Sequence, residues 1–150
     1  MTNNFTTEYL IMNESSIDWE KLSADKSRSF SLSEIRMFRK RIDWLVYLAN
    51  HQLNQNELEV ASKYFTPAVY NLLAILGVDD EKFILNHRHD FNWELLISNS
   101  YLSEDVLNKC IDEWKDIPKN RLVKEFMNNK RINIYDGSYD SILLFLERKS

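Results

Sequence analysis

The chain has 150 residues, 44% of them hydrophobic, which is enough for one domain to bury a core without a disulfide or a metal. Its two glycines and two prolines are far below average usage, which argues against a β-rich fold and against a glycine-rich nucleotide-binding loop. The formal net charge of −4, from 19 basic and 23 acidic residues, indicates neither a general nucleic-acid binder nor a strong DNA mimic.

A short pattern recurs along the chain and predicts stacked helical units. Trp19, Trp44 and Trp93 each follow an apolar residue and then an Asp or Asn. Val69 stands where a further anchor is expected, so the structural repeat anchors are predicted at Trp19, Trp44, Val69 and Trp93. A period near 25 residues is typical of supersecondary units that stack. Apolar residues three and four positions after an anchor predict one helix, and the polar stretch beyond them predicts the cap of a second.

These units divide a single domain, residues 1–150, into three parts. Residues 1–16 are expected to form an N-terminal cap, residues 17–117 four repeats, and residues 118–150 a divergent C-terminal repeat and cap. The first repeat reaches its Leu-Ser-Glu triplet, Leu32 to Glu34, four residues late, which predicts an insertion within 25–29. The predicted fold class is all-α, with helical hairpins stacked in a short α-solenoid of roughly eight to ten helices.

The same residues resemble a family of repeat proteins. The matching stretches are Ile17-Asp18-Trp19 with Leu22-Ser23, Leu32-Ser33-Glu34-Ile35 with Phe38, Ile42-Asp43-Trp44, and Phe91-Asn92-Trp93 through Leu102-Ser103-Glu104. Over residues 17 to 115 they resemble Trp-anchored helical repeat proteins of bacteriophages of low-GC bacteria and of giant DNA viruses. The resemblance implies a viral or prophage origin, where small acidic proteins often bind and block a host protein. It implies no catalytic residues.

Several residue types that often carry chemistry have simpler interpretations here. The recurring tryptophans are expected to be core anchors, not stacking platforms for bases, because aromatic stripes at helical spacing are usually buried. His87 and His89 flank Arg88, but no further Cys or His stands at a recognised zinc spacing. We therefore predict a polar loop there and no metal or other cofactor. Cys110 is expected to be buried as a small apolar residue in a reducing compartment.

The candidate partner-binding residues are polar or aromatic groups in three segments. They are the basic run Arg36, Arg39, Lys40 and Arg41, the acidic run Asp79, Asp80 and Glu81, and the aromatics Tyr135 and Tyr139. The basic run suits an acidic protein surface or phosphates, although a solvated helix end is the simpler interpretation. The acidic run is also explained by carboxylates at a helix N-terminus. The two tyrosines mark an irregular segment that breaks the repeat.

The expected function is a non-enzymatic protein-binding module. It would inhibit a host protein such as a CRISPR-type defence effector, because repeats are present without a nucleophile elbow, triad or paired-carboxylate motif. The alternative is a nucleic-acid-binding accessory protein that uses the basic run. An enzyme would need polar residues such as His87, His89 and Glu94 to converge in a pocket, and a homodimer through the ends of the stack is a further alternative. Without a bilayer-length apolar stretch or a signal peptide, we expect a cytoplasmic protein with no membrane partner.

Overall fold

Residues 5–150, which the computed structural model describes, contain helices and turns and no strand. The twelve α-helices in this range are α1 Thr7–Met12, α2 Trp19–Ala24, α3 Leu32–Phe38, α4 Trp44–Asn50, α5 Gln55–Ala61, α6 Pro67–Leu76, α7 Glu81–Asn86, α8 Trp93–Asn99, α9 Glu104–Lys109, α10 Ile111–Trp114, α11 Lys119–Asn128 and α12 Asp140–Arg148. A short 3₁₀ helix, Ser62–Tyr64, follows α5. The all-α class is confirmed, and the number of helices exceeds the prediction because one-turn helices such as α10 have too little periodicity to be recognised.

The chain divides into two compact units, Met1–Val69 and Tyr70–Ser150. In the first unit α2 packs against α4, and α3 packs against α5. In the second unit α8 packs against α11, and α9 packs against both α7 and α12. These partners are not consecutive in the chain, so each of these contacts joins helices that are separated by at least one other helix. None of the helices in residues 5–150 has both the length and the hydropathy that a bilayer crossing requires.

The three helices that begin at a tryptophan are built in the same way. The residue before each tryptophan is the N-cap, and its side-chain oxygen accepts the backbone N–H three residues further on, at 3.1–3.3 Å. These caps are Asp18, Asp43 and Asn92. Each indole Nε1 donates to the carbonyl oxygen five residues earlier, at 2.8–2.9 Å. Trp19, Trp44 and Trp93 are all buried, which confirms that they are core anchors.

The Val69 prediction is wrong by two positions. Helix α6 begins at Pro67, and the backbone N–H of Val69 donates to Thr66 Oγ1 at 3.4 Å. Val69 is therefore the third residue of its helix, where it is buried, and Pro67 stands in the place of the tryptophan. Proline suits this first helical position because its fixed φ is already helical. It is exposed and supplies no ring to the core.

A constant spacing explains the shifted anchor. Four short helices each have an N-cap that lies twelve residues before the N-cap of the next α-helix. The pairs of caps are Thr6 and Asp18, Ser31 and Asp43, Asn54 and Thr66, and Asp80 and Asn92. The return connection is variable, because it spans thirteen residues from Asp18 to Ser31 and eleven from Asp43 to Asn54. The interval from the cap of a short helix to the cap of the next helix is therefore constant, and the interval back to the following short helix is not. The insertion in the first repeat is two residues, not four, since Ser31 and not Ser33 caps α3.

A buried amide ties the C-terminal segment to α8. Asn129 Nδ2 donates to the carbonyl oxygens of Ile97 and Ser100 at 2.6 and 2.7 Å. Its Oδ1 accepts the backbone N–H groups of Arg131 at 2.7 Å and Ile132 at 3.2 Å. The whole hydrogen-bonding capacity of the amide is used, so this side chain joins the end of α11 to the end of α8.

Candidate interaction surface

Two members of the basic run are held by contacts inside the first unit. Arg39 Nη1 donates to the carbonyl oxygen of Val60 at 3.1 Å, and its guanidinium carbon lies 5.5 Å from the centre of the Tyr64 ring. Arg41 Nε donates to Glu14 Oε2 at 3.0 Å. The first contact joins the end of α3 to α5, and the second joins it to the turn after α1. Arg39 and Arg41 therefore have structural roles that the sequence did not indicate.

The other two members, Arg36 and Lys40, are exposed and lie four residues apart. Lys40 Nζ lies 5.9 Å from the centre of the Tyr64 ring, and Lys63, beside that tyrosine in the chain, is also exposed. Within residues 5–150, no carboxylate forms an ion pair with Arg36, Lys40 or Lys63. This part of the first unit therefore carries positive charge that the fold does not neutralise, although the whole chain is acidic.

The acidic run is largely used in helix capping and ion pairing. Asp79 pairs with Arg131. Asp80 Oδ1 accepts the backbone N–H of Phe83 at 3.2 Å and caps α7, while Glu81 occupies the first turn of the same helix. A carboxylate at this end is stabilised by the helix dipole. The helix-start interpretation is confirmed for Asp80 and Glu81.

Tyr139 is buried, so its prediction as a partner-binding residue is wrong. Its hydroxyl donates to the carbonyl oxygen of Leu102 at 2.6 Å, and burial raises the pKa of Tyr139 from 10.0 to about 12. An irregular sequence does not distinguish a ring that closes the core from one that faces water. Tyr135 is exposed and stays a candidate.

The residues of the enzymatic interpretation have separate partners. His87 Nδ1 lies 3.1 Å from the Tyr70 hydroxyl oxygen, and His89 Nδ1 lies 2.6 Å from Glu113 Oε1. Glu94 forms an ion pair with Arg121 on α11. In residues 5–150, no group of three or more His, Cys, Asp and Glu side chains has an arrangement suited to a metal ion. His87, His89 and Glu94 thus each bond to a different residue.

Cys110 is a buried free thiol, as expected. It occupies the seventh position after the cap Ser103, and Ala61 occupies the same position after Asn54. Burial raises the pKa of the Cys110 thiol. A buried thiol with a raised pKa is largely protonated at neutral pH and packs as a small apolar group.

Arg28, within the predicted insertion 25–29, forms an ion pair with the buried Glu34 of α3. Arg28 Nη2 lies 2.7 Å from Glu34 Oε2, and the same carboxylate accepts the Ser31 backbone N–H and Thr7 Oγ1, both at 2.9 Å. Burial opposes ionisation of Glu34, but the hydrogen bonds from Arg28, Ser31 and Thr7 and the charge of Arg28 outweigh it. The pKa of Glu34 is lowered from 4.5 to about 2. Glu34 thus joins α3 both to α1, through Thr7, and to the insertion, through Arg28.

This ion pair predicts an acid-dependent loss of stability. Because the pKa of Glu34 is lower in the folded state, its stabilisation is complete above about 4.5 and is lost as the pH falls towards about 2. Urea unfolding followed by circular dichroism across this range should show a steeper decline for the wild type than for Glu34→Gln. Glu8→Gln, an exposed carboxylate on α1, is the control and should keep the wild-type pH profile. An equal decline in wild type and Glu34→Gln would contradict the assignment.

The sequence did not reveal that apolar residues occupy a row of equivalent positions in three short helices of the first unit. Met12 and Met37 are 82% and 46% exposed, and each lies six residues after the cap of its helix. Val60 has the same position on α5 and is half-buried. Counting positions from the helix cap, and not from the tryptophan, would have aligned Met12, Met37 and Val60. We call this row, together with the exposed cations beside it, the α1–α3–α5 face: Met12, Met37, Val60, Arg36, Lys40 and Lys63.

Comparison with known proteins identifies no relative of this chain. No protein-family model, curated protein or solved structure matches this chain.

Proposed function

We propose that the chain is a non-enzymatic protein-binding module built as a short α-solenoid of helical hairpins. In the first unit α2 packs on α4, and α3 packs on α5, so each of these helices contacts the helix at the same place in the neighbouring predicted repeat. This packing supports the repeat arrangement in the first unit. The packing of α9 on α7 and α12 supports it in the second. Stacked repeats present one helix of every module on a common surface, which is how such proteins bind extended partners.

The α1–α3–α5 face is the observation that carries the binding function. It combines exposed methionines with cations that no carboxylate of residues 5–150 neutralises. Aromatic residues, Met and Arg are enriched at protein interfaces, and grouped exposed apolar side chains mark interaction sites more often than isolated ones do. A protein partner therefore fits this surface.

The resemblance of the sequence to repeat proteins of bacteriophages and giant DNA viruses also supports a proposal about where the partner comes from. The partner would be a host protein in the host cytosol, which the module binds and inhibits, and a CRISPR-type defence effector is one such class. A nucleic acid fits less well. Arg39 is bonded to Val60 and Arg41 is paired with Glu14, and the Tyr64 ring already has two cations 5.5 and 5.9 Å from its centre.

Affinity capture tests this function directly. The full chain, carrying a tag, should recover a stoichiometric protein from a bacterial lysate both before and after nuclease treatment, while the tag alone should not. Molar mass in solution, measured on the purified protein, separates a captured partner from a homodimer. Recovery of nucleic acid alone, or of no stoichiometric protein, would contradict the proposal.

A further inference from the structure

We propose that the α1–α3–α5 face binds an amphipathic helix of a partner protein, with apolar residues along one side of that helix and Asp or Glu along the neighbouring flank. This rests on the protein-binding function proposed above and specifies the chemistry of the partner. The apolar row and the charge beside it carry the argument.

The apolar row has the spacing of a helix laid across it. Met12, Met37 and Val60 hold the sixth position after the caps of α1, α3 and α5. Helix α3 packs on α5, and α1 is joined to α3 by the hydrogen bond from Thr7 to Glu34. Packed helices lie about 8–10 Å apart, which applies here to α3 and α5. Residues i and i+7 of a helix are about 10.5 Å apart at 1.5 Å per residue, so they match that interval.

The positive charge forms a second row beside the first. Lys40 and Lys63 both hold the ninth position after their caps, three residues beyond Met37 and Val60. Arg36, one residue before Met37, adds a third cation. The equivalent residue on α5 is Glu59, so this position is basic on α3 and acidic on α5. Lys40 lies in the turn after α3 and Lys63 in the 3₁₀ helix after α5, so each cation follows its apolar residue by about one turn of chain. A partner helix that places leucines over the apolar row would therefore bring its flank over Lys40 and Lys63.

The apolar row favours a protein helix over a nucleic acid. A phosphate backbone would meet the cations but would leave Met12 and Met37 without apolar contacts. Methionine, which is unbranched and flexible, adapts to varied apolar side chains and is common at surfaces that receive amphipathic helices. The two rows together complement a helix that is apolar on one side and acidic on its flank.

Fluorescence anisotropy with designed probes tests this binding mode. The acidic probe is a labelled helical peptide of about 20 residues, long enough to cross three helices, with Leu on one side and Glu on the flank. The second peptide has Lys in place of Glu, and the third probe is a single-stranded DNA of about 20 nucleotides. The full-length protein should bind the acidic peptide more tightly than either of the others. Equal or tighter binding of the Lys peptide or the DNA would overturn the proposal, as would no binding of the acidic peptide.

Variants locate the binding on the face. Arg36→Glu with Lys40→Glu should raise the Kd for the acidic peptide about tenfold or more, and Met37→Ser should raise it about tenfold. The control pair Lys124→Glu with Lys130→Glu makes the same change in net charge at exposed positions of the second unit. Leu144→Ser matches Met37→Ser, because Leu144 is 45% exposed and Met37 is 46% exposed. Circular dichroism identifies variants that do not fold, and a folded face variant that binds like its control would overturn the assignment.

The same variants separate this inference from the general function. If the wild type captures a host protein and Arg36→Glu with Lys40→Glu captures it equally well, the partner binds elsewhere. The protein-binding function then stands, and the helix-binding role of this face is wrong. If the wild type captures no protein at all, the general function fails.

Discussion

Replacing Trp44 with alanine is expected to lower the free energy of unfolding by about 3–5 kcal/mol. The indole is buried, and its ring meets Tyr47 and Phe65 edge-on at centroid distances of 5.8 and 5.7 Å. Its Nε1 also satisfies the carbonyl oxygen of Arg39 at 2.9 Å. The substitution therefore opens a cavity and removes the hydrogen-bond partner of a backbone carbonyl at the same time.

Urea unfolding followed by far-ultraviolet circular dichroism measures this loss. Trp44→Phe keeps an aromatic ring without the N–H group and should fall between wild type and Trp44→Ala. Leu45→Ala is the matched control, since Leu45 is the next residue of α4 and is 44% exposed. We expect it to change the free energy of unfolding by less than about 0.5 kcal/mol. Similar losses for Trp44→Ala and Leu45→Ala would show that the tryptophan is not an anchor.

Replacing Asn129 with leucine is expected to lower the free energy of unfolding by about 3 kcal/mol or more, because several buried backbone groups lose their partner. The amide binds two carbonyl oxygens and two backbone N–H groups, and Asn129 itself is buried. Leucine has a similar size, so the loss would reflect unsatisfied hydrogen bonds more than lost volume.

Asn128→Leu provides the comparison for this substitution. Asn128 is the last residue of α11 and is exposed, so its replacement should change the free energy of unfolding by less than about 0.5 kcal/mol. Hydrogen exchange should additionally show faster exchange at the Ile132 amide in Asn129→Leu and unchanged exchange in Asn128→Leu. Wild-type stability in folded Asn129→Leu would mean that water or another group replaces the amide.

Local features of the chain were predictable because they depend on neighbouring residues. The tryptophan anchors and their Asp or Asn caps were recognised from residues a few positions apart, and the burial of Cys110 followed from its place in the repeat. The Val69 anchor was wrong because its position was counted along a connection of variable length, whereas the constant interval runs from cap to cap.

The candidate surface was only partly predictable. Arg36 and Lys40 are exposed, as the basic run suggested. Arg39, however, donates a hydrogen bond to the carbonyl oxygen of Val60, which lies 21 residues later in the chain. Composition of a segment cannot distinguish a cation that faces water from one that bonds to a distant carbonyl. Met12 was not recognised either, because an isolated exposed methionine has no local signature.

The sequence by itself determined the helical class, the caps and the buried tryptophans, since helix initiation and apolar periodicity are encoded within about one repeat. Only the tertiary structure decided that Tyr139 closes the core against Leu102, that Arg28 neutralises Glu34, and that Asn129 binds the end of α8. These contacts join residues whose proximity depends on how helices pack. The α1–α3–α5 face likewise depends on the packing of α3 on α5 and on the hydrogen bond that joins α1 to α3.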